Sequence, residues 1–193
     1  MAQSKSDKEI FWVKPKVRGI IPIGSLHISK SLYKDIKKNE YRVTINENYS
    51  NVLSNCASRE ETWINIVLLK SYKMLYELGH SHSIEIWNNQ KFIGGLFGVS
   101  LGSAFFAESM FSKEKNGSKL AMIALMARLV TGNFELFDTQ FPSCHLTSMG
   151  GTELSEDKYD KILKTALSKQ ANFFKLSRDT NWSQLTQLAT HTS

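Results

Sequence analysis

A chain of 193 residues that is 41% hydrophobic and 22% charged is long enough to bury a sizeable core and has the composition of one globular domain, which excludes disordered and fibrous classes. No uncharged apolar run approaches the roughly 20 residues of a membrane helix. The polar opening lacks the apolar centre of a secretion signal, and Cys56 and Cys144 stand alone, so a disulfide framework and a zinc site are not indicated. The chain is expected to be a cytoplasmic monomer with reduced thiols. Its net charge of +6 is uneven, since the first 40 residues hold nine Lys or Arg against four Asp or Glu; this suits a polyanion partner or merely a solvated surface.

Ser29 is a candidate cap for a short helix over Lys30 to Lys38, with Leu32 and Ile36 buried at i, i+4 and Lys30, Lys34 and Lys37 sharing one exposed stripe. The capping-box pattern Ser58-Arg59-Glu60-Glu61 predicts a second helix from near Ser58 or Thr62 to Gly79, its inner face made of Ile64, Val67, Leu68, Tyr72 and Leu75. Residues 83–87 alternate, Asn88-Asn89-Gln90 makes a turn, and residues 92–99 return, which reads as a hairpin. A strand over residues 104–110, a helix over 118–130 closed by Gly132, a strand over 134–139 and a helix over 156–168 capped by Ser155 complete the set. The last of these helices should turn Tyr159, Ile162, Leu163, Ala166 and Leu167 inward. The order predicts mixed α/β around one sheet, continuous from about Arg18 to Leu176, with a loosely held polar tail from Ser177.

Glu108 and Asp138 are acids set in apolar strand segments, where a carboxylate either ends the strand at the surface or has a partner or a task. Asp138 and Gln140 stand at i, i+2 and should project to one face if the strand persists. There they would either position an amine and accept its proton or serve as polar edge residues. His80 and His82 alternate after a helix end and could bind a metal, though no cysteine or carboxylate stands at ligand spacing. His145 either supports the Asp138–Gln140 segment or is structural, and without Gly-x-Ser-x-Gly no covalent nucleophile is supported. Trp63 and Tyr72, both on the predicted second helix, fall on opposite sides of it; they are core residues or stacking surfaces for a nucleobase.

Taken in order, Cys56-Ala57 with Trp63-Ile64, the run from Gly79 to Trp87, Gly94-Gly95-Leu96-Phe97-Gly98-Val99, Glu108-Ser109-Met110-Phe111-Ser112, Ser118-Lys119, Phe137-Asp138-Thr139-Gln140 and His145-Leu146 resemble the motif series of bacterial leucyl/phenylalanyl-tRNA-protein transferases. The likeness spans roughly Phe11 to Phe174. It implies a GNAT-like acyltransferase domain, a mixed central sheet flanked by helices, over residues 17–176, with 1–16 a remnant of a small N-terminal domain and 177–193 the polar tail. It also implies an activity: transfer of Leu, Phe or Met from aminoacyl-tRNA to proteins with N-terminal Lys or Arg, marking them for degradation, without a cofactor. By the same likeness Asp138, Gln140 and Glu108 are catalytic, and Leu96, Met110, Met122, Leu125 and Phe137 build the side-chain pocket. Trp63 and Tyr72 join them as substrate-binding residues, and Lys30, Lys34 and Lys37 hold the tRNA.

The chain departs from the family in three places. Family members carry a longer N-terminal segment ending in Gly-x-Phe-Pro-Trp or Gly-x-Phe-Pro-Met, and Met1-Ala2-Gln3-Ser4 resembles the residues directly after that Phe-Pro, so the chain is expected to begin inside the element. Pro142-Ser143-Cys144 replaces a more polar version, and Gly150-Gly151 stands for Gly-Ala. Two rival readings stay open. One is a catalytically idle tRNA-binding module. The other is an acetyl-CoA-dependent acetyltransferase, which calls for a Gly-rich pyrophosphate turn where residues 113–118 offer one glycine.

Overall fold

The computed structural model describes residues 1–2, 9–58 and 62–190. In chain order the elements are β1 (Val17–Ile20), α1 (Lys30–Lys38), β2 (Tyr41–Ile45), α2 (Tyr49–Ala57), α3 (Ile66–Glu77), β3 (Ser81–Asn88), β4 (Lys91–Leu101), β5 (Ala104–Ser112), α4 (Gly117–Thr131), β6 (Leu136–Gln140), α5 (Cys144–Ser148), β7 (Thr152–Ser155), α6 (Glu156–Leu167) and α7 (Trp182–Thr190). The strands form a seven-stranded sheet ordered β2-β3-β4-β5-β6-β1-β7. Neighbours are antiparallel except β5 and β6, which run parallel. The expected mixed sheet flanked by helices is what the chain builds.

Alternation sorts the strand residues onto two faces. Ile84, Ile86, Leu96, Phe105 and Phe137 meet α4, α1 and α7 in the larger core. Phe97 and Phe111 pack under α2 and α3, and Ile20, Ala104 and Leu136 under α6. α4 is buried without a break from Leu120 to Leu129, because it lies between the sheet and α7, and a helix apolar all round must be covered on both sides. Its start presses on β4: a Cβ on Gly94 would stand 2.7 Å from Gly117 Cα, so neither position admits a side chain without moving the helix off the sheet.

The predicted α1, its Ser29 cap and its lysine stripe are present, with Ser29 Oγ accepting from the Leu32 amide at 3.3 Å and all three lysines exposed. α4, α6 and the β3–β4 hairpin also stand where periodicity put them, and Asn89 turns the hairpin with φ +54°. The second helix differs. Residues 59–61 of the expected capping box lie outside the described residues, as do Gln3 and Ser4 of the N-terminal likeness. The chain instead forms α2, then caps α3 with Asn65, whose Oδ1 accepts from Leu68 N at 2.9 Å. Trp63 therefore precedes the helix rather than riding on it, and Val67 is exposed. On α6, Leu167 is 42% exposed, so the inward face ends at Ala166.

The loosely held tail is also corrected. Residues 182–190 form α7, with Leu185, Thr186 and Ala189 buried against the core. The connection into it is clamped by buried Arg128, whose Nη1 donates to the carbonyls of Phe173 and Leu176 at 3.0 Å each. A polar sequence with one apolar residue per turn still folds when the buried apolar surface of α4 waits beneath it. Leu185→Ala is expected to destabilise the protein by about 2–4 kcal/mol, read as a lower urea midpoint; an unchanged midpoint would mean that α7 is not part of the cooperative fold.

Candidate active site

β5 and β6 are paired only from Ala104↔Leu136 to Phe106↔Asp138, although both strands run on. Past the last pair their backbones no longer bond to each other, and beside the parting lies a cavity of about 220 Å³. Ala107, Glu108, Ser109 and Met110 of β5 and Thr139 of β6 face it. Leu96 of β4, Met122 of α4, Trp63 and Leu146 complete a largely apolar wall.

Glu108 owes its position to a bulge. Phe97 pairs with Ser109 and Gly98 with Ala107, so Glu108 is an extra residue with no partner on β4, the device by which a strand re-aims a side chain. Gly98 makes this possible, since a Cβ there would lie 2.3 Å from the Phe106 carbonyl oxygen. The Glu108 carboxylate accepts two bonds on Oε2, from Tyr72 Oη and from Gln140 Nε2, both at 2.8 Å. Burial pushes its pKa above the ordinary carboxylate range; the Tyr72 and Gln140 donors and the Arg18 charge pull it back, while Asp138 adds to the rise. Burial and the Glu108 charge in turn push the Tyr72 phenol far above 10, so Tyr72 remains a donor.

Asp138 lies on the face of the sheet opposite α4. Phe137 and Thr139 face α4 and the cavity, so alternation turns Leu136 and Asp138 toward α6. Fully buried, its carboxylate accepts Arg18 Nε at 3.1 and 3.0 Å, Arg18 Nη2 at 2.7 Å and Tyr159 Oη at 2.5 Å. It also accepts the backbone N–H of Gln140 at 2.6 Å. The expected shared face of Asp138 and Gln140 assumes extended backbone, and Gln140 is left-handed at φ +65°, so two-residue alternation does not extend to it. Its carboxamide reaches Glu108 while its backbone N–H bonds to Asp138.

Trp63, Leu96, Met110 and Met122 thus gather at the cavity, and Tyr72 stands behind Glu108 with its ring 6.3 Å from that of Trp63, edge to face. Leu125 and Phe137 do not reach the cavity: both are fully buried in the core, Leu125 one helical turn beyond Met122 and Phe137 two residues before Thr139 on the same face. His82 is also a core residue, stacked on Phe173 at 4.1 Å between Asn46 and Ser100, and burial drops its pKa to about 4. Arg18 and Tyr159 carry no signal in the sequence. A buried acid demands a cation, but nothing in one dimension selects Arg18 from 24 Lys and Arg residues.

The chain matches the leucyl/phenylalanyl-tRNA protein transferase family model over residues 20–164, a span that holds every cavity residue and Tyr159. It is 46% identical over 183 residues to the leucyl/phenylalanyl-tRNA–protein transferase of Afipia carboxidovorans, covering 93% of this chain and 81% of the relative. It is 44% identical to those of Ruegeria sp. and Paracoccus denitrificans, covering 90% of this chain and 82% of each.

A raised Glu108 pKa has a consequence for stability. The folded state binds this proton more readily than the unfolded chain, so stability falls as pH rises from the ordinary value of 4.5 through the raised folded value. Glu108→Gln keeps an oxygen for both donors and sheds the charge. It is expected to melt higher than wild type at pH 7, with the gap closing as the pH approaches about 4.5; a lower melting temperature at pH 7 would refute the raised pKa.

Proposed function

The chain belongs to the leucyl/phenylalanyl-tRNA protein transferase family, and we propose that the cavity between β5 and β6 receives the apolar side chain of an aminoacyl-tRNA while the N-terminal amine of an acceptor protein attacks its ester at the rim. The observation that carries this is the union of an apolar hollow of about 220 Å³ with the Glu108–Gln140 pair at its edge. In the reaction an amide C–N bond forms, the ester C–O bond breaks, and the tRNA's terminal ribose leaves as the hydroxyl. No metal is needed to activate an ester, and an α-amine with a pKa of about 7.7 to 8.0 is partly neutral near pH 7.

The proposed roles rest on which atoms are already committed. Gln140 Nε2 donates to Glu108, which leaves the Gln140 carboxamide oxygen to accept an N–H of the incoming amine and orient it. Glu108 takes its two bonds on one oxygen, and the other is offered to a cationic amine of the substrates. Asp138 acts from behind, through the Gln140 backbone. Met110 and Met122 are adaptable walls, and apolar contacts discriminate by only about 1–3 kcal/mol per methylene, which supports tolerance of Leu, Phe and Met and rejection of polar side chains. Acceptors with N-terminal Lys or Arg, their marking for degradation, and action as a cytoplasmic monomer complete the reading. A parallel strand pair parting around the site, in an otherwise antiparallel sheet, supports a GNAT-type architecture.

Lys30, Lys34 and Lys37 are exposed on α1, and none pairs with an acid among the described residues, which suits contact with tRNA phosphates. Replacing all three by Glu is expected to weaken charged-tRNA binding and to flatten the slope of log K against log salt by about 2; an unaltered slope would remove α1 from the interface. In a transfer assay, wild type is expected to move labelled Leu or Phe from tRNA to a peptide with N-terminal Arg, and Gln140→Ala to lower kcat about a hundredfold with tRNA binding kept. Wild type that binds charged tRNA but never transfers would favour the idle module, and labelling that depends on acetyl-CoA would favour the acetyltransferase.

A further inference from the structure

We propose that Arg18 and Tyr159 are positioning residues of the transfer reaction: they hold the Asp138 carboxylate where it captures the Gln140 amide, and so direct the Gln140 carboxamide to Glu108 at the edge of the cavity. This rests on the cavity being the aminoacyl site. Two observations meet in it. Gln140 is a residue with a Cβ in the left-handed region, which is disfavoured without a local bond to compensate. And its side-chain nitrogen reaches across the place where β5 and β6 part, to Glu108 Oε2 at 2.8 Å and the Ala107 carbonyl at 3.4 Å.

The amide–carboxylate bond is what holds this turn. Asp138 Oδ1 accepts the Gln140 N–H at 2.6 Å, a geometry that requires the chain to curl back after Thr139. The carboxylate can do this only if it is itself immobile and charged in a site with no exposure to water. Arg18 of β1 supplies the charge and grips both oxygens with a fork, and Tyr159 of α6 fixes Oδ2. The guanidinium also stands 5.1 Å over the Tyr159 ring, so the two donors hold each other. β1 completes the frame by pairing Gly19 with Gln140. Three elements, β1, β6 and α6, therefore converge on one carboxylate whose remaining acceptor direction points at the backbone of the catalytic carboxamide.

Tyr159→Phe is the test, because it removes the hydroxyl and leaves the ring and its packing. The expected result is a kcat about tenfold lower, the loss of one hydrogen bond to a charged group, with KM for charged tRNA unchanged. Introduced into Gln140→Ala, the same change is expected to cost nothing further, because its whole effect passes through the missing side chain. Arg18→Lys, which keeps the charge without the fork, is expected to lose kcat in the same way, and the Gln140 amide proton is expected to shift upfield in both single variants. A Tyr159→Phe enzyme as fast as wild type, losses that multiply with Gln140→Ala, or an unmoved amide proton would each overturn the proposal. None of these touches the reading of the cavity, which is tested separately by whether transfer by wild type depends on Gln140.

Discussion

The chemistry of this molecule depends on β5 and β6 being parallel and parting after three residue pairs. Among β2, β3, β4 and β5 the antiparallel strands are bonded along nearly their whole length, and side chains from both faces fill the space. Where the parallel pair parts, backbone and side chains are left facing a hollow that neither strand closes. The last pair, Phe106 with Asp138, marks the place where the core ends and the site begins. Leu125 and Phe137 belong to the core side of that line and Met122 and Thr139 to the cavity side, which is why residues so close in sequence differ in access.

Two carboxylates flank the parting and are treated in opposite ways. Asp138 is sealed from water and satisfied by an arginine fork, a phenol and an amide, so breaking its pair would strand a buried charge at a cost of about 3–5 kcal/mol. Glu108 is supported by a phenol and a carboxamide, with no ion pair among the described residues, and burial raises its pKa. The first arrangement builds structure, and the second keeps a carboxylate responsive to what enters beside it. The bulge that frees Glu108 and the left-handed turn that redirects Gln140 are both departures from regular strand geometry, and both aim a side chain at the same place.

Much of the fold is legible in the sequence wherever a period runs long enough. α1, α4, α6 and the β3–β4 hairpin carry clear helical or alternating patterns. β1 and β7 have four residues each, too few for alternation to register. α2 is rich in Ser and Asn and buries Val52, Leu53 and Cys56 without a propensity signal, and α7 folds because α4 needs a cover. The site is half legible. Acids in apolar strands draw attention to Glu108 and Asp138, and resemblance supplies the cavity residues. The facing of Gln140 escapes a two-residue period, because that period assumes extended backbone and the assumption ends at φ +65°. Arg18 and Tyr159 are separated from Asp138 by 120 and 21 positions, distances over which no local pattern speaks.

The most direct test of the account is a crystal structure of the protein with a phenylalanyl-adenosine analogue whose ester is replaced by an unreactive amide. The phenyl ring is expected to lie among Leu96, Met110 and Met122, with the carbonyl at the rim and the Gln140 carboxamide within about 3.5 Å of the path of an attacking amine. An analogue bound elsewhere, with the hollow between β5 and β6 unfilled, would contradict it.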